Sequence, residues 1–346
     1  MTVDGMETLA RIARRVEGEL SGFFGWTRDR VPGSRDETGA LLEAVAELTL
    51  RGGKRLRPAL AYLAAVSIRP ETEIPGLLGA CSALELLQSY LLIHDDIMDD
   101  DDVRRGGPAV HLLLTPPPGD AAGRLHGRNL GILAGDLACV AARMMVERSG
   151  AAQRHRALDE LARMEWEVIH GQMLDVGGSA DVDTMHDLKT GSYTTRGPVR
   201  FGAALAGAPP EALEALLGFA NPLGLAFKLR DDLLDVCGDP GKTGKPRGTD
   251  LREGRRSAVI REALDRADPA ARSRLEAAWG AGEALSGPEL DAALFLLRGT
   301  GAVEACATRV AELSEQAAAA LAGVPLRPEG REGLESIALA LAARVT

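Results

Sequence analysis

Apolar residues recur at steps of three and four along most of the chain, which is the spacing of one face of an α-helix. The pattern is clearest in Leu41–Leu48, Leu158–Ile169 and Val310–Leu321. No alternating pattern is long enough to predict a β-strand of useful length. Glycine and proline clusters interrupt the helical stretches at short intervals, without a long polar linker. The sequence therefore predicts one all-α domain, residues 1–346, with ten or more helices joined by short loops.

The composition narrows the class of protein. Hydrophobic residues make up 45% of the chain and charged residues 26%, which is typical of a soluble globular protein, while aromatics at 3% predict an aliphatic core. The net charge of −10 argues against nucleic-acid binding. The four cysteines lack metal-binding spacing and indicate a reducing compartment. We find no signal-peptide core and no apolar stretch of about 18 residues, so we expect a cytoplasmic protein without a membrane span.

Two aspartate triplets have the same DDxxD spacing, one at Asp95–Asp99 and the other at Asp231–Asp235, and each follows a mostly apolar run. On a helix, the first and last aspartates of a triplet lie on one face. Clustered carboxylates repel each other unless cations or protons neutralise them, and Mg²⁺ is commonly shared between carboxylates and a substrate phosphate. A single triplet is more often solvated surface, and we keep that interpretation for Asp100–Asp102. Two matching copies favour a metal-dependent diphosphate site.

Basic residues gather at turns near both triplets. Guanidinium groups offer a planar fork for phosphate oxygens, and lysine offers a mobile point charge. The segment Lys54–Arg57, taken alone, is better explained as a solvated helix start. Together with metal-binding carboxylates, the basic turns predict a substrate pair that carries several phosphates. These residues are Lys54, Arg55 and Arg57 beside Gly52-Gly53, Arg104 and Arg105 behind the first triplet, Lys189 after an Asp-rich turn, and Lys242, Lys245, Arg247, Arg252, Arg255 and Arg256 after the second triplet.

Five segments, in order and spacing, resemble the trans-isoprenyl diphosphate synthases, and the resemblance covers nearly the whole chain. It implies an all-α bundle around a deep central cavity, a homodimer, and Mg²⁺-dependent head-to-tail condensation of isopentenyl diphosphate with an allylic diphosphate. The segments are GGKRLRP (52–58), LLIHDDIMDDDDVRRGGPAVH (91–111), GQMLD (171–175), KTGSYT (189–194) and FKLRDDLLDVCGDPGKTGKPRGTD (227–250).

The resemblance also implies residue roles, position by position. Ligands of three Mg²⁺ ions would be Asp95, Asp96, Asp99, Asp231 and Asp235. Asp232 would contact these ligands without binding the metal itself. The isopentenyl diphosphate site would contain Lys54, Arg57, Gln88 and Arg105. The allylic diphosphate would be clamped by Arg104, Lys189 and Lys245, and Thr190 and Gln172 would line the reacting centre.

One position departs from the family pattern: Lys228 stands where a glutamine usually follows the phenylalanine before the second triplet. A lysine here either adds to the diphosphate clamp or pairs with a spare aspartate, and it can equally lower activity by removing a neutral amide near the cation. The departure bears on kinetics more than on the reaction class.

Product length is expected to depend on Tyr90, five residues before Asp95 and about 7.5 Å away along a helix axis. A tyrosine there forms the floor of the product pocket, or is simply a core aromatic. Members of the family with an aromatic at this place make short products, and Leu91 stands where C15-specific animal enzymes carry a second aromatic. The first motif also lacks the two-residue insertion of many bacterial C15 enzymes. We therefore expect geranylgeranyl diphosphate (C20), with farnesyl diphosphate (C15) as the alternative.

Two other classes remain open. A terpene cyclase shares the all-α fold and one aspartate-rich motif, but the second intact DDxxD and the GGKRLRP segment argue against it. A non-catalytic subunit of a synthase is expected to have degraded aspartate motifs, and both are whole here. Lys228 is the feature that keeps this second alternative open.

Overall fold

The computed structural model describes residues 5–30, 39–178, 181–238, 247–255 and 257–342. It is 81% helical, so the predicted all-α architecture is confirmed. The helices are α1 (Gly5–Arg30), α2 (Gly39–Leu50), α3 (Leu56–Ile68), α4 (Leu77–Met98), α5 (Val110–Leu113), α6 (Ala121–Arg148), α7 (Arg154–Val176), α8 (Val182–His186), α9 (Gly197–Ala206), α10 (Pro210–Cys237), α11 (Thr249–Glu253), α12 (Ala258–Arg266), α13 (Pro269–Ala278), α14 (Gly287–Gly299), α15 (Ala302–Ala320) and α16 (Pro328–Ala342).

A π-helix, Asp187–Arg196, joins α8 to α9, and short 3₁₀ turns occupy Glu71–Glu73 and Gly282–Ala284. Local sequence explains several helix starts. Asp120 begins α6 by accepting a hydrogen bond from the backbone N–H of Gly123, which satisfies one of the donors that a helix N-terminus leaves unpaired. Helix α10 begins with a proline in its first turn, where the missing N–H costs nothing.

A two-stranded hairpin follows the first triplet, although the sequence predicted no strands. The strands β1 (Val103–Arg104) and β2 (Gly107–Pro108) pair antiparallel. Arg105 and Gly106 form the connecting turn and both have positive φ, the backbone that right-twisted two-residue hairpins require. The hairpin turns the chain back and brings Arg104 and Arg105 beside α4.

Helices α4 and α6 pack closely because glycines on α6 leave room for side chains of α4. A Cβ on Gly135 would lie 2.3 Å from the His94 ring, and one on Gly131 would lie 2.8 Å from Ile97 Cδ1. The paired residues rise along one helix as they fall along the other, so the two helices are antiparallel. The surrounding core is mostly aliphatic, with few buried aromatics, as predicted.

Three helices are long and apolar enough to cross a membrane by length and composition, namely α4, α6 and α10. The expectation that no apolar stretch reaches this length was wrong. Leucine, alanine and other aliphatic residues give these helices a high average apolarity, although polar residues interrupt the runs of apolar side chains. Of the most apolar windows, 67% of that in α4 is buried inside the protein, against 44% in each of the other two.

Candidate active site

The first triplet lies at the C-terminal end of α4. Asp96 is fully buried, and its Oδ1 accepts a hydrogen bond of 2.5 Å from Arg104 Nε on the hairpin. Burial raises the pKa of Asp96 to about 6, and the Arg104 guanidinium opposes that shift. Arg104 also lies 2.9 Å from Asp101 Oδ2 and 3.7 Å from Asp95 Oδ2. The hairpin thus holds a guanidinium directly against the carboxylates.

Lys189 approaches the same triplet from the π-helix. Its Nζ lies 2.6 Å from Asp175 Oδ2 on α7 and 3.3 Å from Asp95 Oδ1. Gly171 permits this arrangement, since a Cβ there would lie 2.3 Å from the backbone nitrogen of Lys189. π-Helical turns are rare and often occur at functional sites. Thr190, the next residue of the π-helix, is half-buried.

Gln172 lies on α7, near the end of the first acidic helix. Its amide nitrogen is 3.5 Å from Met98 Sδ, and Met98 is the last residue of α4. Residues of three sequence motifs therefore meet here. Asp95 lies on α4, Gln172 on α7 and Lys189 on the π-helix.

The second triplet lies in the last turns of α10, and its three aspartates have different surroundings. Asp231 is exposed, whereas Asp232 is buried. Asp232 Oδ1 accepts a hydrogen bond of 2.5 Å from Lys228 Nζ, and its Oδ2 accepts one of 2.9 Å from the backbone N–H of Ala258 at the start of α12. Of the two roles suggested for Lys228, the structure shows the ion pair with a spare aspartate.

Asp235 caps the short helix α11. Its two carboxylate oxygens accept hydrogen bonds from the backbone N–H groups of Thr249 (3.0 Å) and Asp250 (3.2 Å). A carboxylate at this end of a helix satisfies unpaired donors and complements the helix dipole. The metal role predicted for Asp235 stays a prediction, since both oxygens are occupied by backbone donors here.

The two triplets share one cationic neighbour, Arg255. Desolvation raises the pKa of Asp99 and of Asp235, and the Arg255 guanidinium opposes the shift in both cases. Arg255 therefore lies within electrostatic range of both acidic groups. Burial raises the pKa of Asp250 to about 6, with the nearby Asp235 carboxylate adding to the shift. Asp250 was not among the predicted site residues. The signal that could have identified it is an acidic residue at the end of the 227–250 motif.

His186 has charged neighbours from both parts of the site, and the sequence analysis did not identify it. Burial lowers its pKa, as does the Lys228 ammonium, whereas the carboxylates of Asp232 and Asp175 raise it. His186 therefore lies within electrostatic range of both the Lys228–Asp232 pair and the Lys189–Asp175 pair. No pattern in a single sequence distinguished this histidine.

A basic region lies beside the first triplet. Arg57 Nη2 donates to Thr194 Oγ1 at 3.0 Å, and its guanidinium lies 4.2 Å from the centroid of the Tyr193 ring. Arg105 donates to the backbone oxygen of Leu48. Burial lowers the pKa of Arg105, and the positive charge of Arg57 contributes to that shift. Two of the predicted isopentenyl diphosphate residues are therefore close to each other.

Of the other predicted residues in this region, Lys54 is exposed and Gln88 is half-buried on α4. Lys245 lies outside the described residues. The structure thus places Arg104, Lys189 and Gln172 beside the end of α4, and Arg57 near Arg105. The roles that the resemblance implies for these residues stay predictions.

Arg55 has a structural role that the sequence analysis did not separate from its neighbours. Its Nη1 lies 2.6 Å from Glu85 Oε2, its Nη2 donates to the backbone oxygen of Thr49, and both charged side chains are buried. Arg105 Nη2 lies 3.7 Å from the same Glu85 oxygen. The signal that could have revealed this pair is Glu85 itself, a lone acidic residue inside the apolar stretch of α4.

The carboxylate oxygens at the end of α4 are candidate ligands for Mg²⁺. Among the described residues no group of three or more His, Cys, Asp or Glu side chains is placed to hold a metal ion. Within the described part of the chain, the buried oxygens Asp95 Oδ1 and Asp96 Oδ2 accept no hydrogen bond, although Lys189 Nζ forms an ion pair with Asp95 Oδ1 at 3.3 Å. Carboxylate oxygens are the ligands that a hard cation prefers. The residue chemistry fits Mg²⁺, while Arg104 and Lys189 neutralise the carboxylates in this structure.

The comparisons with known proteins agree with this geometry. A model of the family described as polyprenyl synthetase matches residues 39–292. A short chain isoprenyl diphosphate synthase of Methanocaldococcus jannaschii is 34% identical over 248 residues, 69% of this chain and 71% of the relative. A geranylfarnesyl diphosphate synthase of Natronomonas pharaonis is 34% identical over 311 residues, 83% of this chain and 85% of the relative.

The solved structures give the same result. Geranylgeranyl pyrophosphate synthase from Corynebacterium glutamicum, complexed with isoprenyl diphosphate and magnesium, superposes with a TM-score of 0.87 at 32% identity, covering 97% of this chain and 99% of that one. The chain belongs to the polyprenyl synthetase family, and it is a prenyltransferase of the trans-prenyl diphosphate synthase type. Family members are generally Mg²⁺-dependent and typically homodimeric.

Proposed function

We propose that the protein condenses isopentenyl diphosphate head to tail with an allylic diphosphate and releases geranylgeranyl diphosphate. The observation that carries this proposal is that an acidic triplet lies at the end of each of two helices and that cations accompany both. Lys189 and Arg104 contact the first triplet, and Arg255 lies within electrostatic range of Asp99 and Asp235. Such a set of charges suits a substrate whose leaving group is a diphosphate.

The allylic diphosphate is placed between the triplets in this proposal. Asp95, Asp96, Asp99 and Asp231 supply metal ligands, and the cations Arg104 and Lys189 move from the carboxylates to the phosphate oxygens. Mg²⁺, when bound, would stabilise the charge that develops on the leaving diphosphate. The second diphosphate, of isopentenyl diphosphate, lies in the basic region formed with Arg57 and Arg105, and Lys54 and Gln88 extend that region.

The protein's own residues then protect the allylic cation. Thr190 and Gln172 supply polar oxygens beside it, and the apolar side chains of α4 keep water away, since water would quench the cation. The diphosphate held by the cations is placed to accept the proton lost from the new chain. Lys228 acts through its pair with Asp232, which anchors the start of α12 to α10.

The product assignment rests on Tyr90, because the relatives differ in product. Their names range from farnesyl to nonaprenyl diphosphate synthase, so family membership leaves the chain length open. Tyr90 is half-buried on α4, with its ring edge-on to His94 at 5.1 Å between centroids. We place it at the floor of the product pocket, which favours C20 and leaves C15 as the competing length.

The test is incubation of the purified protein with Mg²⁺, isopentenyl diphosphate and labelled dimethylallyl, geranyl or farnesyl diphosphate. We expect geranylgeranyl diphosphate as the main product by chromatography of the released alcohols. Predominant farnesyl or longer products would overturn the length assignment alone. Absence of elongation with every primer would overturn the proposed reaction.

We also propose that two copies associate through the outer face of α6 and α7. Both helices carry exposed apolar residues, and clusters of such residues mark interaction surfaces in soluble proteins. They are Leu125, Ile132, Leu133 and Val140 on α6 and Trp166, Ile169, Met173 and Val176 on α7. We further propose that the protein is cytoplasmic and that residues 1–346 form a single domain.

Light scattering tests this surface. The protein is expected to run at twice the 36.5 kDa of one chain, and Ile169→Glu is expected to shift the population toward monomer, because a buried charge opposes association. Phe295→Glu, at an exposed apolar residue of α14, is the control and should leave the mass unchanged. A dimer that resists Ile169→Glu would contradict the assignment of the face.

A further inference from the structure

The register of α4 against α6 identifies what faces Tyr90. Gly135 of α6 lies against the His94 ring of α4, and the helices are antiparallel. One helical turn back along α4 and one turn forward along α6 place Tyr90 opposite Cys139. The electrostatics agree, since burial raises the pKa of Tyr90 and the nearby Cys139 group adds to the shift.

Cys139 belongs to a polar group that joins α6 to α7. Arg143 Nη1 donates to Cys139 Sγ at 3.1 Å, and the thiol lies 3.6 Å from Glu165 Oε1. Arg143 and Glu165 form an ion pair, and Glu165 is buried. We call Cys139, Arg143 and Glu165 the charged layer. By the register above, Cys139 places this layer on the side of Tyr90 that faces α6; within the layer Glu165 is 7% exposed and Arg143 is 46% exposed.

A charged layer at this place opposes the passage of a hydrocarbon chain. An apolar chain that displaces the partners of Glu165 leaves a buried carboxylate without its hydrogen bonds, which costs far more than an apolar contact returns. A cavity opened by truncating Tyr90 alone would therefore end at this layer.

We infer that the charged layer is a second stop for the growing product, behind the floor formed by Tyr90. Tyr90 sets the length of the natural product, and the charged layer limits how far the product extends when that floor is removed. This inference rests on the proposed function, and it assigns Arg143 and Glu165 as specificity-determining residues.

Product lengths of four proteins test the inference: the native chain, Tyr90→Ala, Tyr90→Ala combined with Arg143→Met and Glu165→Leu, and Tyr90→Ala combined with Glu147→Leu and Arg154→Met. Replacing both members of an ion pair by apolar groups of similar volume is often nearly neutral for stability. The last combination is the control, because the Glu147–Arg154 pair joins the same two helices at 2.9 Å but has a carboxylate that is 53% exposed, against 7% for Glu165.

We expect Tyr90→Ala to lengthen the product by about one five-carbon unit, which is the space of one truncated side chain. Removing the charged layer as well should raise the ratio of still longer products about tenfold or more, because the polar barrier is gone. The control combination should match Tyr90→Ala. The same distribution with and without the layer would overturn the inference.

A milder variant guards against misfolding. Tyr90→Ala with Glu165→Gln keeps the side-chain volume and removes one charge, and it should shift the products in the same direction by a smaller ratio. An unshifted distribution in this folded variant overturns the inference even if the larger variant fails to fold. Failure of the native protein to elongate any primer would instead overturn the proposed function, so the two failures are distinguishable.

Discussion

The buried pair between Arg55 and Glu85 offers the sharpest test of how the basic region is built. The two side chains are 0% and 2% exposed, and they meet at 2.6 Å. Removing one partner of such a pair leaves an uncompensated buried charge, at a cost of about 3–5 kcal/mol. Glu85→Gln retains an amide oxygen as an acceptor, and Arg55 retains its bond to the Thr49 carbonyl. We therefore expect a loss near the lower end, about 3 kcal/mol.

Urea denaturation followed by circular dichroism measures the free energy of unfolding. The matched control is Glu47→Gln, which breaks the Arg51–Glu47 contact of 2.7 Å while Glu47 is 53% exposed. Because exposed pairs contribute little, we expect the control to lose less than about 1 kcal/mol. The double variant Arg55→Met with Glu85→Leu should be more stable than Glu85→Gln alone, since it leaves no unpaired charge.

A second readout links this pair to the site. Arg105 shares the Glu85 carboxylate at 3.7 Å, so Glu85→Gln should loosen a cation of the proposed isopentenyl diphosphate region. We expect KM for isopentenyl diphosphate to rise more than kcat falls. The reasoning is refuted if Glu85→Gln destabilises the protein no more than Glu47→Gln does.

Three further predictions follow from single side chains. Tyr90→Ala should lengthen the product distribution measured by chromatography, whereas unchanged lengths would remove Tyr90 from the pocket floor. Lys228→Met should lower the free energy of unfolding by about 1–3 kcal/mol, because it leaves the buried Asp232 carboxylate without its cation, and Lys228→Arg should recover most of the loss. Asp96 has a pKa raised by burial from 3.8 to about 6. The folded protein therefore binds the Asp96 proton more tightly than the unfolded protein does. In metal-free buffer with EDTA, the free energy of unfolding of the native chain relative to Asp96→Asn should fall by about 1–3 kcal/mol as the pH rises from about 4 to 6. A difference that stays flat across that range would contradict the burial of Asp96.

The fold and the residue types of the candidate site could be predicted from the sequence, and α4, α10 and the basic turns show the physical reasons. A three- and four-residue apolar period is enough to predict α4 and α10, and carboxylates that directly follow apolar helix mark where each of these helices ends. The basic segments were found because phosphate binding needs cations at turns, and the hairpin carries Arg104 as that argument requires.

What the sequence left undecided depends on tertiary contacts. The strands of the hairpin are two residues long, so they carry no period, and the π-helix at Asp187–Arg196 has no local signal that separates it from an α-helix. Asp231, Asp232 and Asp235 are identical in type, yet only the folded chain decides which of them accepts backbone hydrogen bonds. The expectation about apolar stretches considered unbroken apolar runs, whereas the average over α4, α6 and α10 reaches the length and composition of a span.

The central claim is that the aspartates at the end of α4 hold the metal-bound diphosphate, whereas the neighbouring Asp100 is solvated surface. Asp100 provides the comparison, because its side chain is 80% exposed and pairs with Arg128 at 2.8 Å. The most direct measurement is the rate of geranylgeranyl diphosphate formation from isopentenyl and farnesyl diphosphate at varied Mg²⁺, for the native chain, Asp95→Asn and Asp100→Asn. The account predicts Mg²⁺-dependent C20 formation, lost by about 10³-fold in Asp95→Asn and retained in Asp100→Asn. Equal losses in the two variants, or no elongation by the native chain, would contradict it.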